Sequence, residues 1–247
     1  MAIDSGNLGP RVRWSFADRT EGVSEAPYDA CNLADHVGDD LDHVLANRAA
    51  LGAAVGVDLA RLVSMAPVHG NDVAQVGTST LDSVPEVDAL VTTVPGIGLL
   101  VLAADCVPVM IADGSAGVIA VVHAGWRGVL SDVVGTTLAA MYELGARPDR
   151  TRALVGPAIC GVCYHVSRER FDEVVAVAPE AASVASLGRP GLDLRASVVA
   201  RLRTDGITST LHGGCTAESP NLYSYRRDHI TGRHGGVVTL LPARGAT

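Results

Sequence analysis

Three residues of this chain, His69, Cys106 and His123, are of types that bind a borderline-soft metal, and each sits where a strand is expected to end. His69 lies in PVHGND, Cys106 in AADCVPV and His123 in VVHAGWRG. Side chains at the ends of different elements can converge on one site. Two imidazoles and one thiolate leave a fourth coordination position for water or substrate, which is the arrangement of a catalytic zinc site. The spacing is long-range, so a second account stands beside the first: a buried cysteine acting as a small hydrophobe, and two hydrogen-bonded histidines.

Cys160–Gly–Val–Cys163 is a C-x-x-C. Redox chemistry wants that motif at a helix N-terminus within a βαβ unit, and a four-ligand zinc site wants a second such pair. The sequence displays neither context, with or without the nearby His165. These two cysteines are therefore expected to be neither a redox pair nor metal ligands.

Anion recognition is concentrated in CTAESPNLYSYRRDHITGRHGG, where Arg226, Arg227 and Arg233 fall within eight residues and are interleaved with Tyr223, Ser224 and Tyr225. A guanidinium fork suits phosphate or carboxylate. Arg127 follows His123 by four residues at an expected helix start, where backbone N–H groups add to its pull on an anion. Arg19, near a turn, is a further candidate. All 19 basic residues are arginine, which excludes Schiff-base chemistry and a Walker-type phosphate lysine.

Taken in order, VHGNDV, DALVT…PG, AADCVPV, VVHAGWRG, LVGPAI…CY and CT…SPNLYSYRRD…TGRHG resemble the YfiH family. Its members are also described as laccase-domain polyphenol oxidases, as peptidoglycan-precursor editing enzymes and as purine nucleoside phosphorylases. EGVSEAPYDACNLADHVGDDLDHVLANRAAL is similar to that family's opening, and the likeness runs from about Arg19 to Leu241. The resemblance implies an α/β/β/α layered sandwich of mixed sheets, and zinc on His69, Cys106 and His123, with copper less favoured. It also implies phosphorolysis of adenosine, inosine and methylthioadenosine, and deamination of adenosine. The SYRRD segment is placed at the active site. With the arginine reading above, the expected contacts to nucleoside and phosphate are Arg19, Arg127, Tyr225, Arg226 and Arg227. Three departures stand out: Ala103 where the family often has Thr, Val162 and His165 within its CCYE, and Glu21–Gly22 in place of a double Gly. None removes a proposed ligand, and Cys160 has no counterpart in the family pattern.

Deamination requires a water aimed at C6 of the purine, and zinc deaminases add a carboxylate to shuttle its protons. Asp105 is the nearest carboxylate in sequence, although in an extended segment it and Cys106 point to opposite faces. The catalytic candidates are thus Cys106, His123 and Asp105. The leading alternative makes Cys106 a nucleophile and His123 its base, acting on an amide of a cell-wall precursor. Copper-dependent phenol oxidation is weaker, because a multicopper centre needs more imidazoles than the eight histidines comfortably supply. A zinc-stabilised interaction protein would want a closed, four-ligand site.

The elements that must position these residues are legible in outline. Asp39 and Asp40 are N-caps for a helix over 42–56. Strands are expected at 62–67, 88–93, 98–104, 107–113 and 117–126, Val/Ile/Leu-rich with little alternation and so buried on both faces. Leu130, Val134, Leu138, Met141 and Leu144 recur at helical spacing, and Gly145 stops the helix. A strand at 152–157, helices near 167–177 and 192–205, and strands near 207–211 and 236–241 complete the series. The central strands come as a block without intervening helices, which predicts an α+β fold. One domain is expected over 1–247, with 1–10 and 243–247 frayed.

Composition narrows the function classes further. Of 247 residues 48% are hydrophobic, too many for a disordered polar chain, and the net charge of −8 argues against general binding to nucleic acid or an anionic membrane. No run approaches the roughly 18–20 apolar residues of a membrane span, and no signal peptide is visible. Five dispersed cysteines do not make a disulfide framework. A cytoplasmic protein with reduced thiols, a monomer or small homo-oligomer, is the expectation.

Overall fold

In the computed structural model, which describes residues 3–77 and 83–243, the chain runs through two mixed sheets and the helices that cover them. It opens with β1 (Ile3–Asn7), β2 (Val12–Ala17) and α1 (Leu41–Ala53), then β3 (Leu62–Val63), β4 (Met65–Ala66), β5 (Val73–Gln75) and β6 (Val84–Pro85). The central block is β7 (Ala89–Thr92), β8 (Gly98–Ala103), β9 (Val107–Asp113) and β10 (Val118–Ala124). α2 (Trp126–Leu130), α3 (Val133–Glu143), β11 (Arg152–Val155), α4 (Arg168–Val177), β12 (Ala182–Ala185), β13 (Arg189–Leu192) and α5 (Leu194–Thr204) follow. β14 (Thr208–Leu211), α6 (Tyr225–Asp228) and β15 (His234–Leu240) close the chain.

One sheet has the order β1-β2-β15-β8-β3 and the other β14-β11-β9-β10-β7-β5. Every residue of β9 and β10 is buried. Alternate residues of these strands serve two cores, which explains their lack of polar alternation. Met110, Ala112, Ile119 and Val121 meet Val12, Leu99, Val101 and Val238 of the facing sheet. Val109, Ile111, Ala120 and Val122 pack under Leu138 and Met141 of α3 and Val198 and Leu202 of α5. A third cluster sets Leu51 of α1 on Leu100 and Val237, over the outer face of the five-stranded sheet. The layers are therefore α/β/β/α, as the resemblance implied. Each fully buried aliphatic side chain contributes roughly 1.5–3 kcal/mol. No helix among the described residues is long and apolar enough to cross a membrane.

Three local expectations are corrected. Residues 3–7 do not fray: they pair with β2 from Ile3↔Ala17 to Asn7↔Arg13. IDSGN carries no strand pattern, but the bare Cα of Gly6 lets Trp14 lie across the edge, where an added Cβ would stand 2.9 Å from the indole nitrogen. The run 62–67 is two strands, β3 pairing with β8 and β4 with β6. The helix expected after Gly128 is also two: it begins earlier, at Trp126, and breaks at Asp132, whose φ of 55° is left-handed and whose carboxylate caps α3 by accepting from the Gly135 amide. The expected fraying at 244–247 lies outside the described residues.

His234, at the start of β15, is fully buried, and its Nδ1 accepts from the Tyr223 amide at 3.2 Å. Burial, together with the neighbouring Arg233 guanidinium, pushes its pKa down to about 3. An unfolded histidine titrates near 6.5, so between about pH 6.5 and 3 the unfolded chain binds a proton that the folded chain refuses. Stability from this group is fully present above pH 6.5 and falls by up to about 1.4 kcal/mol per pH unit below it. His234→Asn, which keeps an acceptor at the Nδ1 position, is expected to be less stable at pH 7 yet to lose less on going to pH 4. Urea midpoints at the two pH values check this; equal losses in both proteins refute it.

Candidate active site

His69, Cys106 and His123 come together. Their ligand atoms all lie within 4.8 Å of one another. His123 is the penultimate residue of β10, the thiol is on the residue just before β9, and His69 lies in a loop, itself in a left-handed conformation at φ 64°. The two imidazoles meet edge to face at 4.9 Å between centroids. Gly125 is required for this approach: an added Cβ would stand 2.7 Å from Cδ2 of His69 and 3.3 Å from the Cys106 sulfur.

The hub behind the triad is Asp88, a fully buried carboxylate that sequence reasoning did not single out. It accepts from the amides of Val68 (3.2 Å), His69 (3.0 Å) and Gly70 (2.6 Å), and from Nδ1 of His123 at 3.0 Å. Burial raises its pKa, but these donors more than offset that, and the net shift is downward. By holding Nδ1 of His123 as a donor, Asp88 leaves Nε2 as the ring's ligand atom, whose proton a bound metal would displace. A signal existed: a carboxylate opening an otherwise apolar strand is costly to bury unless partnered.

Burial also opposes ionisation of Cys106, yet the His123 and His69 imidazoles bring its thiol down to about 6. In the same way burial would lower His123, but the thiolate and Asp88 hold it up at about 9. An anionic sulfur between two imidazoles is the state that a metal ligand or a nucleophile requires.

The wall beside the thiol is built by Tyr164, Arg170, Arg226 and Arg233. Burial raises the Tyr164 pKa, with the charge of Cys106 as the next cause, while Arg170 and Arg226 act against it. Arg226 lies 4.9 Å over the Tyr164 ring and donates from Nη1 to the His165 carbonyl at 2.9 Å. Its Nε and Nη2 have no protein partner among the described residues. Arg170 stacks 4.3 Å from the Trp126 ring, and its buried Nε has no hydrogen-bond partner. Arg127 shares that ring at 4.6 Å and is exposed. Tyr225 is 56% exposed, edge-on to His229 at the rim. Arg233, half-buried, senses the charges of Cys106 and Asp105.

Three expected site residues are committed elsewhere. Arg227 has five donors, and all are used: Nε and Nη2 on the Asp228 carboxylate, Nη1 on the carbonyls of Thr216 and Ser219, and Nη2 again on that of Leu222. Arg19 is bound to Asp29 at 3.0–3.2 Å and faces Asp228 at 3.7 Å. Asp105, at φ 90°, lies in a bend over 104–106 and not in the extended segment on which the opposite-faces expectation rested. One of its oxygens accepts from the Thr216 hydroxyl and the other from the Arg226 amide, both at 2.6 Å. It anchors the start of α6 and positions Arg226. His165 pairs with Arg226 and joins no cysteine cluster.

The C-x-x-C does not stand alone, although no second C-x-x-C pairs with it. Cys160 and Cys163 face Cys215 and Glu218, with all four ligand atoms within 4.8 Å of one another. A cavity of about 280 Å³, lined by Val129, Asp132, Val177 and Arg201 among others, lies between α2, α3 and α5 and includes none of the candidate site residues.

Comparison with known proteins places this geometry in a context. Residues 13–241 match the family model described as multi-copper polyphenol oxidoreductase laccase. A Streptomyces coelicolor protein named purine nucleoside phosphorylase is 48% identical over 231 residues, 93% of this chain and 96% of its own length. A Mycobacterium tuberculosis protein of the same name is 43% identical over 238 residues, 96% of this chain and 95% of its own. Among solved structures, Bacillus licheniformis YfiH aligns with a TM-score of 0.86 at 26% identity, covering 93% of this chain and 92% of that one. Geobacillus stearothermophilus YlmD aligns at 0.84 and 28% identity, covering 94% and 93%.

Proposed function

Since the chain belongs to the multi-copper polyphenol oxidoreductase laccase family, we propose that it is a zinc-dependent purine nucleoside phosphorylase, cleaving adenosine, inosine and methylthioadenosine and also deaminating adenosine. The observation that carries the reading is an open three-ligand donor set next to guanidinium groups with unused donors. The donor set fits zinc: two imidazoles, one of them oriented by Asp88, and a thiol already favoured as thiolate. Bound there, zinc would supply Lewis acidity beside the purine or a water acidified towards a pKa of about 7.

Phosphorolysis forms a bond from a phosphate oxygen to C1′ and breaks the bond from C1′ to the purine nitrogen, releasing free base and sugar 1-phosphate. The chain holds the anion with arginine because it has no lysine. Arg226 offers Nε and Nη2, Arg170 its unpartnered Nε, and Arg127 an exposed guanidinium at the start of α2. A bidentate fork fixes the phosphate in direction as well as place. Tyr164 keeps the Arg226 plane in position by stacking, and Asp105 does so through the Arg226 backbone. Tyr225 at the rim is placed to contact the nucleoside.

One observation favours a second reading: Asp88, His123 and Cys106 stand in the order acid, base, nucleophile, as a thiol hydrolase needs. His69 on the same sulfur supports the metal instead. Copper oxidation has less support. The two clusters of metal-ligating side chains among the described residues contain two imidazoles in total, fewer than a multicopper centre uses.

The deciding assay supplies adenosine, inosine and methylthioadenosine with and without phosphate and follows free base, sugar phosphate and ammonia. Phosphate-dependent release of base from inosine is expected, with ammonia from adenosine in either condition; no phosphate-dependent release overturns the proposal. Arg226→Lys keeps the charge and loses the fork. A charge-assisted contact is worth roughly 1.5–3 kcal/mol, so phosphorolysis of inosine is expected to fall about 10- to 150-fold. Deamination, which uses no phosphate, should change far less. Equal losses in both reactions would instead assign Arg226 to the nucleoside.

A further inference from the structure

We infer that Cys160, Cys163, Cys215 and Glu218 form a second metal site, closed and structural, for a thiophilic divalent cation such as zinc. The topology brings them together. β11 and β14 are parallel neighbours, so the loops leaving their C-terminal ends run side by side. The first loop carries C-x-x-C over 160–163, and the second carries C-x-x-E over 215–218. Each motif is folded as a tight turn. The amides of Cys163 and Tyr164 donate to the Cys160 carbonyl at 3.0 and 2.9 Å, and that of Ser219 donates to the Cys215 carbonyl at 3.1 Å. The loops are zipped together where Thr216 N donates to Ala158 O at 3.1 Å and Cys160 N to the Cys215 sulfur at 3.3 Å.

Two such pairs from adjoining turns are the pattern of structural zinc sites, here with a carboxylate in place of the fourth thiolate. Four protein ligands close the coordination sphere, unlike the three at His69, Cys106 and His123. Without a cation three sulfurs and a carboxylate are crowded within 4.8 Å of one another. The Cys163 thiol spends its one donor on Glu218 at 3.7 Å. A divalent cation replaces that mutual crowding with four bonds, and binding releases the thiol protons.

The position gives the site a task. Tyr164 follows Cys163 directly and stacks under Arg226. Thr216 lies between Cys215 and Glu218 and donates to Asp105, the carboxylate that positions Arg226. A cation clamping the two turns would therefore hold one wall of the candidate active site while touching no substrate.

The test is metal stoichiometry on reduced, full-length protein loaded with zinc, with a parallel cobalt(II) titration read by its thiolate charge-transfer bands. The wild type is expected to hold two equivalents, and the doubly substituted Cys160→Ala/Cys163→Ala protein one. In cobalt the lost equivalent should carry the stronger, three-thiolate band. Cys106→Ala should also lose one equivalent, but keep that band. Equal metal content in the wild type and the double variant, or no three-thiolate band in the cobalt-loaded wild type, overturns the inference. Should the double variant not fold, the wild-type count and the two cobalt spectra still decide. Absence of the Cys106-dependent equivalent alone would count against the phosphorylase site and leave this one standing.

Discussion

Cys106→Ala protein is expected to lose one equivalent of metal and to retain no more than about a hundredth to a thousandth of its nucleoside-cleaving activity. The thiolate is the single anionic ligand of the three, held between two imidazoles at pKa about 6. Removing a catalytic electrostatic partner costs on the order of 10²–10³ in turnover, and removing an inner ligand should cost at least as much. Two imidazoles remaining in the pocket cannot make a tetrahedral site by themselves. The fold should survive, because Cys106 is only half-buried and the strands on either side are anchored by ladders of six and seven residue pairs. Metal analysis beside a nucleoside assay reads both effects. If the variant is inactive yet keeps its full metal content, Cys106 is a nucleophile and the hydrolase reading takes over. If activity persists, the triad is not the site.

Asp88→Ala is expected to weaken metal binding at the triad by about 10- to 100-fold, the scale on which an orienting carboxylate behind a ligating histidine acts. It should also destabilise the protein, which Cys106→Ala should not. The substitution strips a partner from three amides and one imidazole nitrogen, and each buried donor left unpaired costs roughly 1–3 kcal/mol. Some will find water, so a net loss of about 3–5 kcal/mol is expected, as when a buried charged partner is removed. Asp88→Asn keeps the volume and one acceptor oxygen, and should fold better while still weakening the metal. Urea denaturation and competition with a chelator measure the two effects separately. Unchanged chelator resistance in both variants would show that the His69 loop and His123 are held by other means.

The sequence alone carried the block of buried strands, because strands covered on both faces must be apolar throughout, and 107–113 matched β9 residue for residue. It carried the cap of α1, since Asp40 and an apolar run behind it are local signals. It also carried the three metal-ligating residue types at three strand ends. What it could not carry was any feature decided by a partner far along the chain. β1 exists because Trp14 and β2 recruit an unpatterned edge. Arg227 reads like Arg226 in the sequence, yet one has every donor taken by loop carbonyls and Asp228, while the other has no partner on Nε or Nη2 among the described residues. Asp88 becomes the hub only once the 68–70 amides and His123 close around it. Most clearly, Cys160 and Cys163 read as an isolated pair because their partners, Cys215 and Glu218, lie 55 residues away in the chain. Local sequence reports propensity and pattern, which are short-range. A site assembled from separate loops depends on which strands are neighbours, and here the parallel pairing of β11 with β14 decided it.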